Sequence, residues 1–221
     1  MKKTIFAFDF SMSKPAMCVY VNNEILFYAW PAKIDKKTED LLNGANINVY
    51  NRNIDPINKK QYSSSSLVLE HIKRSVELSN LIINDINNII YKYNIKKDDV
   101  IISSEGLSFA SKGDATLNLA AYKQVLLNKL YENGFTNIKT YSPISIKSIA
   151  GCSKKNNSNK LSMIDAIKME NFSHKFIQIL AIDENKLKKK TAFISTIDDL
   201  VDAYWCLKTT IIKEELSGVC I

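Results

Sequence analysis

The chain has 221 residues, of which 46% are hydrophobic, and it carries a formal net charge of +7. This length suits one large domain, and the basic excess favours a polyanionic partner, above all nucleic acid. The four cysteines have no metal-ligand or disulfide-framework spacing, no segment is apolar enough to span a bilayer, and the N-terminus lacks the layout of a secretion signal. We therefore expect a cytoplasmic protein with reduced thiols and no membrane association.

The first part of the chain predicts an antiparallel meander followed by an insertion. Residues 4–10, 16–22 and 24–30 are apolar runs joined by short polar segments, which is typical of three antiparallel strands. Residues 31–64 are polar and rich in Lys, Asn and Ser, so they predict an insertion or a mobile loop, with room for a short strand at "INVYN".

Helices and strands alternate in the remainder. Apolar residues at helical spacing predict a long helix over 66–93, a second over 113–134 and a last one from about Asp198 to Glu215. "DDVIISSE" and "IKTYSP" predict strands, residues 158–169 a helix, and residues 171–195 a second insertion or mobile segment. The order predicts a single α/β domain over 1–221, with a mixed five-stranded sheet of three antiparallel and then parallel strands flanked by helices.

Four acidic residues are candidate metal ligands. Asp9 and Glu105 end two apolar strands, where burying an unpaired carboxylate costs several kcal/mol, roughly, so each needs a cation or donors. Asp199 and Asp202 are three residues apart on the last helix and share a face; Asp198 also shares a face with Asp202 and is a second-rank candidate. Four carboxylates suit two Mg²⁺ ions, and thus metal-dependent phosphodiester chemistry.

Other interpretations of the same residues stay open. Asp9 and Glu105 could each be satisfied by a turn, and Thr196 with Asp199 fits a helix capping box. Most lysines are solvated, so "KLKKK" at 186–190 is more typical of a solvated loop than of a specific contact. Phe109 could equally be part of the core.

Four segments, taken in order, resemble the RuvC-type Holliday-junction resolvases of the ribonuclease H-like superfamily. They are "FAFDFSMSKPAMCVY", "EGLSFASKGDATLNLAAYKQVLL", "SPISIKSIAGCSKKNNSNKLSMI" and "DDLVDAYWCL". The resemblance covers most of residues 1–30 and 66–212. It departs from the family in the turn "FSMSKP", which lacks a glycine, and in a longer, Asn-rich loop before Lys160. Residues 31–64 and 171–195 also exceed a minimal bacterial resolvase. This elaboration, together with the Ile, Lys and Asn bias, looks more like a phage or viral branch.

The resemblance implies a ribonuclease H-like fold and specific residue roles. Asp9 matches the first acid, expected to bridge both metals, Glu105 the second, and Asp199 and Asp202 the terminal pair. Lys147 and Lys160 match lysines placed against the phosphate backbone and the active site, and thus complete the implied catalytic set. The implied DNA-binding side chains are Phe109, Lys112, Lys147, Lys154, Lys155 and Lys160.

The activity that the resemblance implies is Mg²⁺-dependent resolution of four-way DNA junctions by paired nicks, in recombination and repair. Two Mg²⁺ ions, replaceable by Mn²⁺, would serve each active site of a homodimer joined through the helix at 114–132. Three alternatives remain: cleavage of flaps, other branched DNA or RNA–DNA hybrids by the same fold; a non-catalytic DNA-binding recombination protein; and an actin-like ATPase, for which the chain is short and lacks paired Gly-rich phosphate loops.

Overall fold

The computed structural model describes residues 3–106, 113–152, 160–170, 174–180 and 192–216. Two short 3₁₀ helices, Lys59–Gln61 and Lys97–Asp99, join longer elements. Over the described ranges, no helix has both the length and the apolar character that crossing a membrane requires. In chain order the strands and α-helices are β1 Thr4–Asp9, β2 Ala16–Val21, β3 Glu24–Ala29, α1 Lys36–Gly44, β4 Ile47–Val49, α2 Ser64–Lys92, β5 Val100–Glu105, α3 Asp114–Glu132, β6 Ile138–Tyr141, α4 Pro143–Ile149, α5 Lys160–Lys168, α6 Lys175–Leu180 and α7 Ala192–Lys213.

The sheet is mixed and its strand order is β4-β3-β2-β1-β5-β6. The antiparallel meander of β1, β2 and β3 and the parallel addition of β5 and β6 are confirmed. The prediction of five strands is wrong, because β4 adds a sixth strand that pairs in parallel with β3. This strand lies within "INVYN", where the sequence left room for a short strand, and that part of the prediction is confirmed. With three residues, β4 is at the lower limit of strand length and too short to produce a clear alternating pattern.

Two hydrophobic cores cover the two faces of the sheet. Successive residues of a strand point to opposite faces, so Ile5 and Ala7 of β1 enter one core, while Phe6 and Phe8 enter the other. The first core is completed by α4, α5, α6 and α7, and the second by α2 and α3. The helix α7 crosses β1, β2 and β5, which places its side chains over the centre of the sheet.

Residues 31–64, predicted to be an insertion or a mobile loop, form a folded segment against the domain. Asp35 begins α1 by accepting a hydrogen bond from the Thr38 backbone N–H at 2.9 Å. Arg52 then donates from Nε to the Trp30 carbonyl and from Nη2 to the Met12 carbonyl, each at 2.8 Å. The guanidinium thereby ties this segment to the turn that follows β1.

The helix α7 begins at Ala192, about six residues before the predicted start. Thr196 therefore lies inside the helix and does not occupy the N-cap position; it is fully buried. The capping-box interpretation of Asp199 is wrong for this reason. The helix α4 was not predicted; it begins after Ser142, whose Oγ accepts from the Ser145 backbone N–H at 3.2 Å.

Candidate active site

Asp9 and Glu105 end two neighbouring parallel strands. In the register of β1 and β5, Phe8 pairs with Ser104, so the next residue of each strand lies beside the other. Adjacent strands run about 4.8 Å apart, which brings the two carboxylate-bearing residues together at the carboxyl edge of the sheet. Both residues are half-buried, and strand alternation directs them to the α7 face.

The register of α7 over β5 places Asp202 near the same edge. Cys206 Sγ contacts Ser103 Oγ at 3.7 Å, so these two residues are level with each other. Asp202 precedes Cys206 by one helical turn, about 6 Å along the axis. Glu105 follows Ser103 by two strand residues, about 6.6 Å, in the matching direction. Asp202 is therefore carried to the level of Glu105.

A contact of Ser11 shows in which direction α7 runs relative to β1 and where Asp199 lies. Its Oγ donates to Asp199 Oδ2 at 3.4 Å and accepts a hydrogen bond from the Lys14 backbone N–H at 2.8 Å. Ser11 lies two residues past Asp9, so α7 runs antiparallel to β1, with Asp199 beyond the strand end. Sequence reasoning gave Ser11 no role; the available signal was a serine in a tight turn directly after a strand acid.

Lys123 of α3 is a buried cation beneath the acid pair. Its residue is 8% exposed, and its Nζ donates to the backbone carbonyl of Glu105. Burial holds the pKa of this ammonium below its usual value, an effect opposed by Cys206, Glu105 and Asp9. Because burial raises the pKa of the Cys206 thiol to about 12, that thiol is neutral at pH 7, and the two carboxylates supply the countercharge.

Sequence reasoning also missed Lys123, because a lysine on an amphipathic helix normally indicates a solvated position. We expect Lys123→Met to destabilise the protein by about 1–3 kcal/mol, since the Glu105 carbonyl loses its charged donor. Urea unfolding measures this change, with Lys129→Met on the same helix as the matched control. Equal stability of the two variants would contradict the assigned contact.

The other predicted site residues divide into two groups. Lys147 lies half-buried in the last turn of α4, and Lys160 begins α5; both helices pack against α7 on the acid-bearing face of the sheet. The indole Nε1 of Trp205 in α7 donates to the Met163 carbonyl of α5 at 3.1 Å, which anchors that packing. Phe109, Lys112, Lys154 and Lys155 lie outside the described residues.

The donor set fits a hard divalent cation. Among the residues whose side chains are described, no three of His, Cys, Asp or Glu gather closely enough to hold one ion. Mg²⁺ keeps several of its waters and needs only one or two protein carboxylates, so it does not require such a cluster. Oxygen-only donors favour Mg²⁺ or Mn²⁺ over zinc. The assignment of Asp9, Glu105, Asp199 and Asp202 as ligands stays a prediction.

Comparison with known proteins finds no matching family model and no matching curated protein. Among solved structures, the chain is similar to Thermus thermophilus RuvC in complex with a Holliday junction substrate, with 8% identity, coverage of 99% of this chain and 98% of that chain, and a TM-score of 0.49. A second T. thermophilus RuvC structure gives 8% identity, 96% coverage of both chains and a TM-score of 0.40. The yeast mitochondrial Holliday junction resolvase Ydc2 gives 16% identity, coverage of 93% of this chain and 76% of that chain, and a TM-score of 0.44.

Proposed function

We propose that this chain is a divalent-metal-dependent, structure-selective endonuclease that resolves four-way DNA junctions by paired nicks. The observation that carries the proposal is that Asp9 and Glu105 end adjacent parallel strands, with Asp199 of α7 held by Ser11 just past the end of β1. The order of the four motifs supports it, as does the net charge of +7, which suits a DNA partner. We place this activity in DNA recombination or repair, in the cytoplasm of a bacterium or of a phage-infected host.

In this proposal, Asp9, Glu105, Asp199 and Asp202 would hold two Mg²⁺ ions. The chemistry that such a pair supplies when bound is activation of a water and stabilisation of the leaving 3′ oxygen. The other residues orient the ligands: Lys123 holds the end of β5 through the Glu105 carbonyl, and Ser11 restrains the Asp199 carboxylate. Lys147 and Lys160 would offset phosphate charge and position the scissile strand.

Parallel cleavage assays test the proposal. An end-labelled mobile four-way junction, a flap, an RNA–DNA hybrid and a linear duplex are incubated with the protein and Mg²⁺. We expect the junction to be nicked fastest and on two opposing strands. Faster cutting of the flap or hybrid would favour the other ribonuclease H-like activities. Binding without nicking of any substrate would favour a non-catalytic recombination protein.

Replacing Mg²⁺ by Ca²⁺ should separate binding from cleavage. Ca²⁺ is larger and more flexibly coordinated, so it can offset phosphate charge without the near-octahedral geometry that the reaction needs. We expect junction affinity to be retained and nicking to be suppressed, as measured by gel shift and cleavage assays on the same samples. Undiminished nicking in Ca²⁺ after Mg²⁺ is removed by chelation would contradict the two-metal proposal.

We also propose a homodimer through α3, extended by the adjoining end of α2. Leu69 and Ile72 of α2 and Leu117 of α3 are exposed to 66%, 52% and 70%, and the two helices pack against each other. Exposed apolar side chains on two neighbouring helices favour a self-complementary interface.

We expect Leu69→Glu to shift the protein from dimer to monomer in light scattering after size exclusion, because a buried unpaired charge opposes association. Ile144→Glu is the control, since Ile144 is 76% exposed on α4, on the other side of the sheet. A dimer unaffected by Leu69→Glu, or a wild-type monomer, would contradict this interface.

A further inference from the structure

We propose that a cavity beside the turn that follows β1 binds one unpaired nucleobase of the DNA. This base cavity lies between residues 50–57, the turn after β1, and helices α2 and α3. Residues that line it include Met12, Arg52, Ile57, His71, Arg74 and Tyr122. The inference rests on the proposed DNA substrate, and it gives a function to the segment 31–64, for which the sequence offered none.

The base cavity is physically joined to the candidate active site. Met12 and Ser13, which line it, follow Asp9 by three and four residues, a chain distance of roughly 10–13 Å. Arg52 Nη2 donates to both of their carbonyls, at 2.8 and 3.2 Å, so the segment and the turn form one wall. Asp9 faces α7, whereas the cavity adjoins α2 and α3, on the other face of the sheet. A DNA strand whose phosphate lies at Asp9 would pass the end of β1 and place a base a few nucleotides away in this cavity, given a rise of about 3.4 Å per nucleotide.

The walls have the chemistry that binds a base out of its stack. Met12, Ile54 and Ile57 supply apolar surface for the two faces of a ring. The Tyr122 hydroxyl and His71 Nδ1 are hydrogen-bonded to each other at 3.3 Å. In the proposed complex, the polar edge of the base would join this hydrogen bond.

The volume limits what can enter. The cavity measures about 190 Å³. A dry protein cavity of about 150 Å³ holds benzene, so this one has room for a substituted aromatic ring but not for a base pair. If DNA fills this cavity, the part that enters is a single base that has left the duplex, as occurs at a branch point.

The charges at the mouth suit the phosphate attached to that base. Burial, and to a lesser extent the neighbouring Arg74, lowers the pKa of Arg52 to about 10, so Arg52 stays charged at neutral pH. The one carboxylate among the lining residues is Asp55, whose side chain is 78% exposed and ion-paired with Lys33 at 2.7 Å. Arg74 is ion-paired with Glu70 through Nε at 2.6 Å, whereas Arg52 donates to neutral backbone carbonyls. The net positive charge beside the cavity therefore comes from Arg52, and it favours an anion there.

The test combines a cavity-filling variant with base deletion in the DNA. Ile57→Trp places a bulky ring in the cavity, and Asn58→Trp places the same ring next to it on the chain, at an exposed residue that does not line the cavity. Binding is measured in Ca²⁺ with a four-way junction carrying one abasic residue at successive positions around the branch. A single-stranded oligonucleotide carrying one 2-aminopurine is measured in parallel by fluorescence quenching.

For the wild type and Asn58→Trp, we expect one abasic position to weaken binding by roughly 5–150-fold, the range that corresponds to the 1–3 kcal/mol of base stacking on a protein. For Ile57→Trp, the intact junction should bind with that weakened affinity, and the abasic residue should cause no further loss. Ala32→Leu, which narrows the same cavity, should give a smaller loss in the same direction and serves if Ile57→Trp fails to fold.

Two results would overturn the proposal that this cavity binds a base. In the first, no abasic position weakens junction binding by the wild type; in the second, Ile57→Trp loses as much affinity on base deletion as the wild type does. Failure of the proposed function has a different signature, because the junction would then bind no better than linear duplex. In that case the 2-aminopurine oligonucleotide still tests base binding in the cavity. Fluorescence quenching that is lost in Ile57→Trp and kept in Asn58→Trp would support base binding even though the junction is not the substrate.

Discussion

Asp9→Asn should reduce junction cleavage by more than about 100-fold while leaving junction binding largely intact. Loss of an outer-shell partner of a metal ligand typically costs 10–100-fold, roughly, so loss of a ligand shared by two ions should cost more. Asp9 has this central position because β1 lies beside β5 and beneath α7. Single-turnover cleavage of a labelled junction in Mg²⁺, with a gel shift in Ca²⁺ on the same preparation, measures both quantities.

A measurement of protein stability distinguishes loss of a metal ligand from unfolding of the variant. Asp9→Asn relieves repulsion among the acids at the carboxyl edge of the sheet, but it also removes part of the countercharge of the buried Lys123. Because these two effects oppose each other, we expect the melting temperature without metal to change little. Glu105→Gln should behave alike, because its side chain lies beside Asp9 at the same edge. Its contact with Lys123 runs through the backbone carbonyl and survives the substitution. Normal cleavage by either variant would rule out this acid pair as the metal site.

Most of the fold was predictable because its elements have strong hydrophobic patterns. The runs that became β1, β2, β3 and β5 are apolar and bounded by polar turns, and α2 has an apolar face over many turns. β4 was left out of the predicted sheet because it has three residues, and α4 was missed because it has seven. Short elements owe their conformation to tertiary pairing and capping, which leave little trace in a periodic pattern.

The acids of the candidate site were predictable, but the residues that position them were not. A carboxylate in an apolar strand is conspicuous because its burial is costly, which singled out Asp9 and Glu105. Lys123 and Ser11 belong to common surface types, and their roles depend on which strand end the fold places beside them. The same applies to Arg52, whose three carbonyl contacts join segments about 20 to 40 residues apart. Such long-range contacts have no local sequence signature.

The second large effect that we expect is the loss of cleavage on substitution of Asp202, one of the three acids near the start of α7. Asp202 lies one helical turn before Cys206, and Asp199 two turns before it, so both share the face that meets β5. Asp198 lies one position further back, which rotates it by about 100° from Asp199, towards the side where Trp205 contacts α5. We therefore expect Asp202→Asn to abolish cleavage to the same extent as Asp9→Asn.

Substitutions of the two neighbouring acids should reduce cleavage to different extents. Asp199→Asn should be severe but weaker than Asp202→Asn, because Asp199 lies beyond the end of β1, where Ser11 donates to it. Asp198→Asn should stay within about tenfold of the wild type, the lower end of what an outer-shell group contributes. The three variants are compared in the same single-turnover assay, over a range of Mg²⁺ concentrations. If Asp198→Asn proved as damaging as Asp202→Asn, the face of α7 that meets the sheet edge would differ from the one that the Cys206–Ser103 contact indicates.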